Sequence, residues 1–326
     1  MLPLRPSLKD AIWGGLRLFE RYRKGSGERL AESWELSTHA DGHSRLPDGR
    51  TLQDRLATEP WLAGGSAHRD GTIPILAKLI DARLPLSVQV HPDDDGARRH
   101  GGLSGKTECW YILDAEPGAW IYHGLRKSLT RTKLEKHARE GTIESVLRKV
   151  PVHIGDIFYI PAGTLHALGG GILCFELQQS SNVTYRVFDY GRRDHTGKPR
   201  RLHIQEALDV ATLMPTPREI PGLDEPIATS GLTRRTIVDC AQFTMEELLL
   251  DGEGTIDVPS RRFACLFLIE GRCRAVSHGS HGVETEADEL TLVSGQTVFL
   301  SSRETVSLHG KGHALLAFPP NGVVAR

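Results

Sequence analysis

No run in this 326-residue sequence approaches the ~20 consecutive apolar residues that a membrane-spanning helix requires, so no membrane partner is expected. Cysteine is sparse and scattered: Cys109, Cys174, Cys240, Cys265 and Cys273 form an odd set without CxxC spacing. They read as reduced, mostly buried small hydrophobes, which argues against both a disulfide scaffold and a thiolate zinc site. Net charge is nearly absent, with 40 Lys and Arg against 41 Asp and Glu. Bulk electrostatics therefore points to no nucleic-acid partner, and an anionic ligand has to be held by a local basic cluster. A Walker-type loop is missing as well, because Gly169-Gly170-Gly171 is not followed by Lys-Ser/Thr and reads as a turn between strands. The opening residues, MLPLRPSLKDAIWGG, have no basic start leading into an apolar stretch, so no export and a cytoplasmic location are expected.

Glycine and proline, by contrast, are plentiful, which suits many short strands joined by tight turns. Runs at 74–82, 86–92, 108–114, 156–162 and 172–179 are apolar or alternating and bounded by Gly, Pro or Asp, as strands of a sandwich or barrel are. Helical patterning is confined to 51–61, to 128–150 with Gly141 separating two helical stretches, and to 202–214. The Pro-rich segment 214–231 reads as a linker, after which strand patterns resume. An internal repeat aligns GDIFYIPAGTLHAL (155–168) with GQTVFLSSRETVSL (295–308), and ECWYILDAEPGAW (108–120) with ACLFLIEGRCRAV (264–276). The alignment sets Val306 opposite His166 and Ala264 opposite Glu108. The expectation is a mainly β protein of two related barrels with a few short helices, only the first barrel carrying ligands. Its divisions are a catalytic unit at 1–213, the linker at 214–231 and a degenerate β domain at 232–326.

Three local features carry chemistry. In PLSVQVHPDDD (85–95), strand alternation points Ser87, Gln89 and His91 one way and Val88 and Val90 the other, which by itself fits a solvent face. In SGKTECWYIL (104–113), Glu108 shares a face with Trp110 and Ile112; a carboxylate aimed at a core must be paired to Arg or Lys or bound to a cation. In the third, His166 sits among Leu165, Ala167 and Leu168, either hydrogen-bonded or ligating. His39, His43, His68, His100, His123, His195 and His281 lie in polar stretches and read as surface groups. Together, two imidazoles, a carboxylate and an amide oxygen suit Zn²⁺ or a similar divalent ion, and leave a position for water or substrate. Lys106, two residues before Glu108, aims into the same cavity; desolvated beside a dication, its pKa would fall.

QVHPDDD, GKTECWYI, GDIFYIPAGTLHAL and FELQQSSNVTYRVFDYGR (175–192) resemble the motifs of the type I phosphomannose isomerases, zinc enzymes of the cupin (jelly-roll) fold, in their shorter bacterial form. The resemblance covers most of 1–210 and is much weaker across 215–326. It implies Gln89, His91, Glu108 and His166 as zinc ligands, Arg186 as the active-site arginine, and Ser87, Lys106 and Lys78 as substrate-pocket positions. Glu32 falls on an acidic position of the family. The implied reaction interconverts mannose 6-phosphate and fructose 6-phosphate through a cis-enediol, so the partner is a small sugar phosphate; the sequence specifies no oligomeric state. Arg186 also has the reading of a structural ion pair with Asp189 or Asp194. Two other functions remain open: a cupin metal oxygenase, and a sugar-phosphate sensor without turnover.

Overall fold

Antiparallel strands joined by short turns dominate the architecture, a computed structural model that describes residues 1–193, 196–279 and 288–320. Asp194, His195 and His281 lie outside these residues. The first half of the chain folds two sheets face to face. One is six-stranded, in the order Ile157–Ile160, Glu108–Ala115, Ile172–Gln179, Ile75–Ala82, Glu32–Leu36, Ser7–Lys9. The other is five-stranded, in the order Leu147–Pro151, Trp120–Leu125, His166–Leu168, Val88–Val90, Tyr185–Phe188. The second half bends a single eight-stranded sheet over itself. Its strands Thr244–Asp257, Ala264–Ser277 and Thr305–Phe318 turn the corner near Gly252, Gly271 and Gly310, all at positive φ, where any other residue would be strained. The fold is thus mainly β and of the cupin type, as expected.

The repeat read from the sequence has a counterpart in hydrogen bonding. Gly155 N–H donates to Ile112 O and Ile112 N–H to Asp156 O; at the aligned positions Gly295 N–H donates to Leu268 O and Leu268 N–H to Gln296 O. Both glycines have φ near +85° (85° and 84°). Strands begin at Glu108 and at the aligned Ala264, and Ala264 and Val306 are buried in an all-apolar core.

Both faces of the six-stranded sheet are covered, which is why its strands read as near-continuous apolar runs. Trp110, Ile112, Ile80 and Cys174 face the interior of the first barrel. Cys109, Tyr111, Leu79 and Phe175 face outward and pack against Phe263, Phe267 and Leu315 of the second barrel. Phe267 sits at the middle of this junction, stacked on Phe175 at 5.3 Å and edge-on to Tyr22 at 5.6 Å. Phe267→Ala should therefore cost about 3–5 kcal/mol, measurable as a fall in the urea midpoint. An unchanged midpoint would mean that the barrels do not stabilise each other through this contact.

Several local expectations are corrected. The second helical stretch of 128–150 is only a 3₁₀ turn, Ile143–Val146, and the chain then becomes the edge strand Leu147–Pro151, because pairing with Trp120–Leu125 outweighs local helix propensity. The strand at 86–92 is confined to Val88–Val90. Ile227–Thr229 pairs with Leu232–Asp239, and Leu2–Leu4 pairs with Thr297–Leu300. The helices Arg131–Arg139 and Ile204–Val210 cover the outer face of the five-stranded sheet through Leu134, Ala138, Ala207 and Leu208. Among the described residues no helix is long and apolar enough to cross a membrane.

Candidate metal centre

The first barrel brings the three expected ligand residues together at the strand ends. Glu108 opens the strand Glu108–Ala115, His166 opens His166–Leu168, and His91 follows Val88–Val90. All three are buried, and a ligand atom from each lies within 4.8 Å of the others. His166 Nε2 is 3.1 Å from Glu108 Oε1, and His91 Nε2 is 3.6 Å from Glu108 Oε2.

Backbone carbonyls decide which imidazole nitrogens face the carboxylate as bases. His166 Nδ1 lies 2.9 Å from Thr164 O and His91 Nδ1 lies 2.8 Å from Val183 O. A carbonyl accepts only, so each Nδ1 carries the proton and each Nε2 turns a lone pair toward Glu108. Glu108 Oε1 is buried with no hydrogen-bond partner. A proton on His166 Nε2 would satisfy that one contact. Two imidazole lone pairs converging on one buried carboxylate, however, are the donor set of a divalent cation, and these residues fit one.

Gln89 is in register with His166 across the sheet, its amide nitrogen 3.4 Å from His166 Nε2 and its oxygen 3.4 Å from Ser87 Oγ. Ligation through oxygen requires the amide to turn over. Arg186 lies on the other side of Gln89 in the same register, and His123 on the other side of His166, so Arg186, Gln89, His166 and His123 share one sheet face. His123 is corrected from a surface group to a buried one: its Nε2 lies 2.9 Å from Tyr159 O and Arg148 donates to its Nδ1 at 2.7 Å. Burial is the main reason its pKa falls to about 4, leaving it neutral.

The opposite wall is a chain of alternating charges. Lys106 Nζ contacts Glu108 Oε2, and lies 3.4 Å from His91 Nε2 and 3.6 Å from Glu176 Oε1. Lys78 Nζ is 3.5 Å from Glu176 Oε1 and 3.4 Å from Glu32 Oε2, with the Trp34 ring at 4.9 Å. Trp110 and Trp34 donate their indole N–H groups to Glu176 and Glu32. Desolvation alone would depress Lys106, but Glu108 and Glu176 outweigh it and, with no metal cation beside them, raise its pKa. Glu108 goes the other way: burial opposes its ionisation, while the Lys106 ammonium beside it holds it well below the ordinary carboxyl range. Glu176 is raised, first by burial and then by Glu108.

Glu176 is the residue that sequence reasoning missed. Its signal was available: in ILCFELQQ it shares a face with Cys174 and Gln178, an acid aimed into an apolar interior like Glu108. Lys106 borders the cluster directly, Ser87 and Arg186 adjoin Gln89, and Lys78 adjoins Glu176. The ion pair read for Arg186 with Asp189 is not formed, because Arg192 and Arg200 occupy that carboxylate.

Comparisons with known proteins give the family. The phosphomannose isomerase type I catalytic-domain family matches residues 1–118. Mannose-6-phosphate isomerase ManA of Bacillus subtilis is 36% identical over 278 residues, 84% of this chain and 86% of that protein. A mannose-6-phosphate isomerase of Streptococcus mutans is 37% identical over 254 residues, 76% of this chain and 78% of its own length. The crystal structure of the mannose 6-phosphate isomerase from Bacillus subtilis superimposes with a TM-score of 0.86 at 32% identity, covering 97% of this chain and 99% of that one.

Proposed function

The chain belongs to the type I phosphomannose isomerase family and is an aldose–ketose isomerase, and we propose that it interconverts mannose 6-phosphate and fructose 6-phosphate at the cluster of His91, Glu108 and His166. The observation that carries the assignment of the site is the unpartnered Glu108 Oε1 facing imidazole lone pairs. His91, Glu108 and His166 hold the cation and Gln89 completes the set through its amide oxygen; two imidazoles with a carboxylate and an open position favour zinc. A bound cation would supply polarisation of the substrate's oxygens.

The remaining work falls to side chains. Arg186, always charged, offsets the negative charge of the enediolate. Glu176 and Lys106 stand together on the opposite wall, and a carboxyl raised toward neutrality is suited to exchanging a proton. We assign to this pair the removal of the C2 proton as the enediolate forms and its return at C1, the O2 hydroxyl proton passing to O1 between the two steps. Lys78 holds Glu176 from the other side, and Ser87 orients Gln89. Lys106, Lys78 and Arg186 are cationic groups suited to a phosphorylated sugar, which disfavours the oxygenase reading. The cytoplasmic location and the division at 1–213, 214–231 and 232–326 are part of the same proposal.

A coupled assay of mannose 6-phosphate turnover, with and without chelator, tests this reading. Fructose 6-phosphate should form, stop on chelation and resume on adding zinc. Binding without turnover would favour a sensor; iron in the purified protein with oxygen uptake would favour an oxygenase.

A further inference from the structure

Arg186 has an unusual electrostatic setting for a half-buried guanidinium. Its Nη1 donates to Arg201 O at 3.0 Å, its Nε is buried without a partner, and Asp189, three residues on, does not pair with it. Asp189 is itself buried and fully occupied. Arg200 Nε and Nη2 reach its two oxygens at 2.7 and 2.5 Å, and Arg192 Nη2 adds a third bond at 2.5 Å. Arg192 also donates to Asp189 O at 3.2 Å and Pro85 O at 2.5 Å, and lies over the Tyr190 ring at 5.1 Å. Tyr190 adopts φ of 56°, a conformation costly for a bulky residue that persists only where surrounding contacts enforce it. The contact to Pro85 fastens this loop to the segment that leads into Ser87 and Gln89.

We propose that Asp189, Arg192 and Arg200 form a clasp whose role is to keep Asp189 from pairing with Arg186, making all three positioning residues for the isomerase reaction. Two guanidinium groups share one carboxylate, and the bidentate pairing with Arg200 together with the bond from Arg192 occupies both of its oxygens. Among the described residues Arg186 is left without a carboxylate bonded to it, at the edge of the row formed with Gln89 and His166. Arg192 and Arg200 hold Asp189 ionised against the opposing effect of its burial, so the clasp does not fall apart by taking up a proton near neutral pH. The proposal rests on the reading that Arg186 serves the substrate.

A double-substitution cycle tests it. Arg200→Gln frees an Asp189 oxygen to capture Arg186, and should lower kcat/KM by about tenfold or more, as loss of a charge-assisted contact does. Adding Asp189→Asn removes the captor, so the Arg200→Gln/Asp189→Asn protein should recover most of that activity; a merely structural role predicts equal or greater damage. Metal content and thermal unfolding are followed in parallel. An inactive Arg200→Gln not improved by Asp189→Asn, or an unimpaired Arg200→Gln, overturns the clasp. Where Arg200→Gln does not fold, Arg200→Lys serves in its place: lacking the planar fork it leaves an Asp189 oxygen open, so it should lose about threefold or more in kcat/KM and regain it on adding Asp189→Asn; no loss, or no regain, overturns the clasp. Full activity in Arg186→Gln would instead overturn the role given to Arg186, so the two failures are distinguishable.

Discussion

Alanine at position 166 should give a protein that no longer retains a divalent cation through gel filtration and shows no measurable isomerisation. His166 is fully buried, and its Nε2 is the imidazole nitrogen nearest Glu108, so water cannot readily replace it from solvent. Outer-shell partners of a metal site cost about 10–100-fold in affinity or activity; removing a ligand itself should exceed that. Circular dichroism should show a folded chain, because the barrel packing around Val88, Leu165 and Ala167 does not depend on the imidazole. Metal analysis beside the coupled assay reads the result. A His166→Ala protein that keeps both metal and turnover would remove the cluster from the mechanism.

Arg186→Ala should separate the two properties, keeping the metal and losing turnover. Arg186 stands one strand beyond Gln89 and contacts neither His91, Glu108 nor His166 through any of its hydrogen bonds. Taking away one preorganised donor to a developing charge costs about 10²–10³ in kcat, and that is the loss expected, with zinc content unchanged. Arg186→Lys should recover only part of it, since an ammonium lacks the planar fork. Loss of metal in Arg186→Ala would recast the residue as support for Gln89, and full activity would end its catalytic assignment.

Much of this was legible in the chain because it depends on local chemistry. Alternation along short strands placed Glu108 with Trp110, and Ile172–Gln179 appears at its expected bounds. The repeat was legible through two glycines that turn alike and accept the same backbone geometry. Ligand types could be named because a buried acid and a buried histidine demand partners. The sequence did not reveal the partners themselves, since these come from distant segments. Thr164 and Val183 fix the imidazole protons, Glu176 stands between Lys106 and Lys78, and Arg192 and Arg200 take Asp189 away from Arg186. His123 looked like a surface group until pairing with His166 turned it inward. The edge strand Leu147–Pro151 looked helical until Trp120–Leu125 paired with it. The sequence by itself determined which residues could bind a cation. Tertiary structure decided which lone pairs face it and which charges are left unpaired, because both depend on contacts between strands far apart in the chain.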